Sequence, residues 1–306
     1  MKKIVASLLT VSALAIAGAY VFIPSTIRIS SLSESSKDIK PAYRYLVNGE
    51  NWPKWWPGMK PFQYNNMSFH ITKKKLNSFE IQLLYKKDTI ITTLEMIPLN
   101  SDSTAYTWSC KIESSKNPFK RWMQYFNATQ IKKSLDFLTG SLKNYLENDE
   151  NIYGFKVQKI KVTDSVLIST RSTFDHYPDT EEIGKIVQRL KDYIQKEKAI
   201  EKNYPMLNVH QLSTDKYEAM VAIATERLLP ATSDFAPKLI LKGGNILEAG
   251  FKGGPYAIKK GFEEFENYKD DKKFVSPAIP YQLMITDRAK EKDTANWITK
   301  FYYPVF

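Results

Sequence analysis

GNILEAGFKGGPYAIKKGFEEFENY, residues 244–268, has the clearest pattern of secondary structure in the chain. Its first part is strand-like, and from Pro255 onward apolar residues recur at three- and four-residue steps, which is typical of an amphipathic helix. The same succession begins ~80 residues upstream, where SVLISTRSTF at 165–174 predicts a strand. A second apolar stripe follows, with Thr180 as the expected cap of its helix. The region 151–306 is therefore predicted to be an internal duplication.

Each copy continues with two more strand-like segments. PMLNVHQL (205–212) and KYEAMVAIATERLLP (216–230) follow the first helix, and IPYQLMITD (279–287) and ANWITKFYYPV (295–305) follow the second. Each copy thus has the order strand, helix, strand, strand. One such unit leaves a face of its sheet uncovered, so two units are expected to share a core and leave a central groove.

Three short motifs carry a resemblance to a known family. They are Gly253-Gly254-Pro255-Tyr256, Pro280-Tyr281-Gln282-Leu283-Met284 and Trp297-Ile298-Thr299. In this order they resemble the GyrI-like family, the effector-binding domain also attached to AraC- and MerR-type regulators. The resemblance implies a groove for a small amphipathic or aromatic ligand, and some relatives are described as hydrolases. The predicted ligand-binding residues are Tyr256, Tyr281, Gln282, Met284, Trp297 and Glu248.

The sequence departs from the family pattern at the centre of this groove. The family has a Glu, and a Tyr two residues later, where this chain has Gln282 and Met284. Glutamine carries no charge and exchanges no proton near neutral pH. The departure favours a non-catalytic binding or sensory protein with a neutral polar groove, unless Glu226 or Glu248 points inward. A hydrolase acting on a small amphipathic substrate in the groove is the alternative.

Residues 27–150 are predicted to form a separate domain. Alternating segments at 64–71, 77–85, 88–97 and 103–112 predict an antiparallel sheet, and an apolar stripe from Ala128 to Tyr145, capped by Asn127 or Thr129, predicts a long helix. With the motif NWPKWWP at 51–57, this order resembles the SRPBCC helix-grip family, which includes START and polyketide-cyclase-like domains. The resemblance implies a cavity for an apolar ligand. The three tryptophans of the motif either stack on that ligand or plug the end of the sheet.

The N-terminal segment, residues 1–26, is predicted to be a membrane anchor. Lys2 and Lys3 precede 20 uncharged residues, Ile4 to Ile23, and a helix of that length spans about 30 Å. The two lysines favour a single-pass orientation with the body on the periplasmic or extracytoplasmic side. A cleaved signal peptide, with a secreted product, is the alternative. The predicted fold class is thus α+β: a transmembrane helix, a helix-grip domain and a duplicated domain with a central groove.

Composition narrows the remaining function classes. The net charge is +11, but lysines are spread along the chain without a zinc-ligand or recognition-helix pattern, so no nucleic-acid partner is predicted. Cys110 is the single cysteine, so an intramolecular disulfide is impossible. The three histidines lie far apart in the sequence, so neither a metal site nor a cofactor is predicted.

Overall fold

The computed structural model describes residues 2–58 and 61–306, apart from the side chains of residues 2, 3 and 5–9. The chain forms two compact units, Met1–Asn148 and Asp149–Phe306. Both are mixed α+β, and each is built on one antiparallel sheet.

The first unit combines four helices and six strands among the described residues. In chain order they are α1 (Lys2–Phe22), β1 (Thr26–Ser35), α2 (Ile39–Val47), α3 (Trp52–Trp55), β2 (Gln63–Tyr64), β3 (Met67–Lys74), β4 (Ser78–Tyr85), β5 (Asp88–Asn100), β6 (Ser103–Glu113) and α4 (Pro118–Glu147). The sheet has the order β1-β6-β5-β4-β3-β2.

Helix α4 supplies the main packing surface for this sheet. Ile131, Leu135, Leu138 and Leu142 are fully buried, and the helix lies against β1 and β6. The helix begins at Pro118, with the Asn117 side chain accepting hydrogen bonds from the first backbone amides. The prediction of a start near residue 127 was therefore wrong. The early turns expose apolar side chains, so they lack the polar–apolar contrast that marks an amphipathic helix.

The tryptophan motif belongs to the core of the first unit. Trp52, Trp55 and Trp56 are all at least 94% buried. The Trp52 indole donates a hydrogen bond to the Leu46 carbonyl (2.8 Å), and the Trp56 indole donates to the Gln63 carbonyl (3.1 Å). Their burial favours the plug over the ligand-stacking alternative: the indoles of Trp52 and Trp56 are satisfied by backbone, whereas the Trp55 indole N–H is buried without a partner among the described residues.

The structure does not support the predicted membrane anchor. Among the described residues, no helix combines the length and the apolar composition needed to cross a membrane. The prediction of a single-pass membrane protein with an extracytoplasmic body was therefore wrong, as was the transmembrane helix in the predicted fold class. The prediction of a membrane partner through the N-terminal helix is likewise not supported.

The contacts of α1 give the physical reason. Ala19 and Ile23 are buried, and the Trp122 indole of α4 donates a hydrogen bond to the Ala15 carbonyl at 3.1 Å. The Tyr20 hydroxyl donates to the Lys116 carbonyl at 2.6 Å. The C-terminal part of the apolar run is therefore a packing surface for α4. A continuous apolar segment shows no helical periodicity, so its sequence does not indicate whether protein or lipid covers it.

The second unit adds three helices and eight strands among the described residues. They are α5 (Asp149–Tyr153), β7 (Val157–Lys161), β8 (Val166–Phe174), α6 (Thr180–Lys196), β9 (Met206–Ser213), β10 (Lys216–Ala224), β11 (Ala236–Leu239), β12 (Asn245–Lys252), α7 (Pro255–Asp271), β13 (Tyr281–Met284) and β14 (Ile298–Val305). The sheet order is β11-β8-β10-β9-β13-β14-β12-β7.

Helices α6 and α7 cover the same face of this sheet, each over its own half. Leu190 of α6 packs in a cluster with Leu207 and Val221, and Phe265 of α7 packs with Phe301. Helix α6 starts one residue earlier than expected, since Asp179 is its cap and forms a reciprocal capping box with Glu182. The halves meet at β9 and β13.

The packing of α4 generates a stability prediction. Leu135→Ala should lower the free energy of unfolding of the first unit by about 2–5 kcal/mol, because it leaves a cavity under a fully buried position. Urea unfolding followed by tryptophan fluorescence measures this, since five of the six tryptophans precede residue 149. The exposed neighbour Lys133→Ala is the control and should change the value by at most about 0.5 kcal/mol. If Leu135→Ala and Lys133→Ala lower the free energy of unfolding equally, the packing of α4 against the sheet is contradicted.

Candidate functional site

A groove of about 700 Å³ opens on the helix-covered face of the second sheet, beside α7 and the segment that precedes α6. This size falls within the ~300–1,000 Å³ typical of small-molecule sites. We call it the helix-side groove. Its main lining residues are Tyr177, Leu207, Val209, Tyr217, Lys259, Phe262, Glu263, Glu266, Gln282 and Tyr303.

Gln282 lies at the centre of the floor. It stands directly opposite Leu207 on one side and Phe301 on the other, and directly opposite residues share a face of a sheet. Leu207 packs under α6 and Phe301 under α7, so Gln282 lies between the two helix cores. The residue is 6% exposed. Within the part of the chain that the structure describes, its side-chain amide makes no hydrogen bond to another residue and is not sealed from solvent, so it is open to the groove.

Aromatic rings form one end of the groove. The rings of Tyr177 and Tyr217 meet edge to face with centroids 5.7 Å apart, and the Lys259 ammonium lies 4.9 Å from the Tyr177 ring centre. Burial raises the pKa of Tyr177, and the nearby positive charge of Arg288 opposes that shift. Tyr177 is therefore a neutral hydroxyl at physiological pH, able to donate a hydrogen bond to a ligand.

The wall of the groove is charged, and this charge was not predicted from the sequence. Lys259, Glu263 and Glu266 of α7 line it. The predicted neutral character thus holds for the floor at Gln282, whereas the wall carries two carboxylates and one ammonium. The spacing of these three residues contained a signal, because positions four and seven apart lie on one side of a helix. They flank the buried stripe of α7.

The predicted ligand-binding residues do not gather in one place. Gln282 lines the helix-side groove, but Tyr281 faces the other side of the sheet, because successive strand residues alternate in direction. Met284 is buried in the α6 cluster, and Trp297 is buried in the α7 cluster. Tyr256 is 82% exposed at the start of α7 and does not line the groove.

Glu248 also lies on the face opposite the helices. It stands opposite Tyr302 in the sheet, accepts a hydrogen bond from the Tyr302 hydroxyl, and pairs with the Lys300 ammonium at 3.1 Å. Burial, and then the bond to Glu248, raise the pKa of Tyr302. Glu226 accepts a hydrogen bond from the Ile200 amide and does not line the groove. Neither carboxylate therefore supplies a charge to its floor.

The described residues contain no group of three or more histidine, cysteine or acidic side chains placed to hold a metal ion. The polar side chains that line the groove are amides, phenols, carboxylates, one ammonium and the imidazole of His210.

Comparisons with known proteins give fold likenesses only. No protein-family model matches the chain, and no curated protein matches it. The EcmrR C-terminal domain is 13% identical, with a TM-score of 0.43 over 50% of this chain and 98% of that one. SAV2435 bound to tetraphenylphosphonium is 15% identical, with a TM-score of 0.34 over 49% of this chain and 94% of that one. A START superfamily protein from Mycobacterium smegmatis is 15% identical, with a TM-score of 0.25 over 38% and 98%.

These likenesses are to proteins of GyrI-like and START type, at low identity. We therefore base the function on the geometry of this chain.

The pairing at Glu248 generates a second stability prediction. Tyr302→Phe should lower the free energy of unfolding by about 1–3 kcal/mol, because a partly buried carboxylate loses its hydroxyl donor. Tyr204→Phe removes a hydroxyl from a half-exposed residue and should cost at most about 0.5 kcal/mol. Urea unfolding followed by circular dichroism compares the two variants. If the two variants have the same free energy of unfolding, the hydrogen bond between Tyr302 and Glu248 contributes nothing to stability.

Proposed function

We propose that the second unit binds a small amphipathic molecule in the helix-side groove and does not convert it chemically. The observation that carries this proposal is the Gln282 amide, which lies on the floor between the two helix cores, is open to the groove and makes no hydrogen bond within the described chain. An amide that is open to a groove and has both its donors and its acceptor unused can bond to a molecule bound there. A ligand with a polar group above Gln282 would satisfy this amide.

The walls define the ligand further. Tyr177 and Tyr217 offer ring faces and edges to an aromatic group, and Glu263 and Glu266 can accept hydrogen bonds from its donors. The proposed ligand is therefore an aromatic molecule with at least one N–H or O–H donor, and a positive charge on it would be tolerated. Gln282 can orient such a ligand but cannot act as a general base.

We propose accordingly that residues 151–306 form a GyrI-like effector-binding domain and that residues 27–150 form an SRPBCC-like helix-grip domain. The first assignment is supported by the order strand, helix, strand, strand in β8-α6-β9-β10 and again in β12-α7-β13-β14. The second is supported by the long helix α4 lying against an antiparallel sheet.

A hydrolase that uses Glu248 as its acid is not favoured. The Glu248 carboxylate lies on the opposite face of the sheet from Gln282 and is occupied by Tyr302 and Lys300. A substrate in the helix-side groove would not reach it.

A fluorescence titration of the full chain with N-phenyl-1-naphthylamine tests the binding proposal. This probe is aromatic, apolar and carries one N–H donor. Gln282→Leu should weaken its binding about tenfold, since the replacement keeps the bulk and removes the acceptor. Tyr177→Ala should weaken binding comparably by removing the ring wall.

The control for this titration is Gln158→Leu, which changes an exposed glutamine on β7 and should leave the affinity as in the unsubstituted chain. Unchanged affinity in both Gln282→Leu and Tyr177→Ala would overturn the proposal.

A further inference from the structure

A second cleft, of about 570 Å³, opens on the face of the same sheet that α6 and α7 leave uncovered. Leu167, Met206 and Ala222 line it, and each is next in sequence to a residue that packs under α6. Alternation along the strands therefore places them on the opposite side from the helices. We call this space the opposite-face cleft.

Two connecting segments close the cleft by joining the edges of the sheet. The connection from β7 to β8 and the one from β11 to β12 are linked by backbone hydrogen bonds of 2.9 Å, Val162 N–H to Gly244 O, Gly243 N–H to Val162 O, and Ile240 N–H to Ser165 O. Gly243 has a φ of +79°, which glycine adopts without strain. Strands β7 and β11 are the two edges of the sheet. Every strand of the sheet contributes residues to the lining.

The lining is mostly apolar. Met206, Met220, Ile240 and Ile279 are among its residues, and no carboxylate side chain is among them. An apolar molecule that covers this lining removes apolar surface from water, which is favourable.

The polar side chains that line the cleft are those of Lys161, Lys238, Asn208, Asn245 and Tyr281. Lys238 stands directly opposite Leu167 in the sheet and so faces the cleft. The ammonium of Lys161, at the rim, donates to the Asn245 side chain at 2.8 Å. The Tyr281 hydroxyl also lines the cleft, and burial raises the pKa of Tyr281 to about 12, so it remains a donor at neutral pH.

The two carboxylates that act on Tyr281 from nearby already have partners. Glu248 pairs with Lys300 and Tyr302, and Asp164 accepts a hydrogen bond from the Asn203 side chain at 2.7 Å. The charged side chains of the lining are those of Lys161 and Lys238, and both are positive.

We propose that the opposite-face cleft is a second binding site and that it takes an apolar molecule bearing one acidic group, of the class of a medium-chain carboxylate. The apolar chain occupies the space over Met206, Met220 and Ile240, and the carboxylate pairs with the Lys238 ammonium. The sheet lies between this site and the helix-side groove, and the two meet at the junction strands, where Asn208 and Ile279 line both.

Isothermal titration calorimetry of the full chain with dodecanoate and with dodecanol tests the proposal. Dodecanoate should bind one site. Lys238→Met should weaken dodecanoate about tenfold and leave dodecanol unchanged, because it removes only the charged partner. Lys216→Met, at the exposed end of β10, is the matched control and should leave both affinities unchanged.

Two further variants locate the site. Met220→Trp fills the cleft and should abolish dodecanoate binding, with the unfolding temperature showing that the variant is folded. Gln282→Leu changes the other face and should leave dodecanoate binding intact, so a failure of the groove proposal is separable from a failure of this one. The proposal is overturned if dodecanoate does not bind, if Lys238→Met and Lys216→Met bind it equally, or if Gln282→Leu rather than a cleft variant removes binding.

Discussion

The second unit depends on the short pairing between β9 and β13, which joins its two halves through Gln282 opposite Leu207 and Leu283 opposite Met206. Two further contacts reinforce the junction: the Asn208 side chain donates to the Pro280 carbonyl, and the Met284 amide donates to the Pro205 carbonyl, both at 2.9 Å. The cores under α6 and α7 lie on either side of this junction, and a pocket opens on each face of the sheet there. The space on each side of it is therefore available to ligands.

This pairing also determines which side chains share a face of the sheet. Because strand residues alternate, it directs Gln282 toward the helices and Leu283 away from them. The helix-side groove receives an amide floor, phenol rings and the carboxylates of α7. The opposite-face cleft receives apolar side chains with lysines and a phenol. One sheet thereby separates two chemically different environments, each of a size suited to a small molecule.

Much of the fold follows from periodicity in the sequence, and the exceptions have physical causes. Strands β3 to β6 and the helices α6 and α7 lie where alternation or an apolar stripe indicates them. The strands β1, β7 and β11 were not predicted, because β1 is rich in serine, β7 in lysine, and β11 contains Pro237. All three are edge strands, where polar residues and proline are tolerated.

The candidate site was less predictable than the fold. Alternation alone could have separated Tyr281 from Gln282, but the resemblance that selected them carried no information about faces. Met284 and Trp297 are large apolar residues that complete the cores under the helices, and no local pattern distinguishes a core position from a groove position. The anchor prediction failed for a related reason: apolar composition shows that a segment avoids water, not what covers it.

In the proposed complex, the Gln282 amide contacts the ligand of the helix-side groove. The direct measurement is the side-chain amide signal of Gln282 in ¹H–¹⁵N correlation spectra of the full chain, assigned by its loss in Gln282→Leu. We predict that saturating N-phenyl-1-naphthylamine shifts this signal and leaves the side-chain signal of Gln158 in place. A probe that binds while the Gln282 signal stays unshifted would contradict the account.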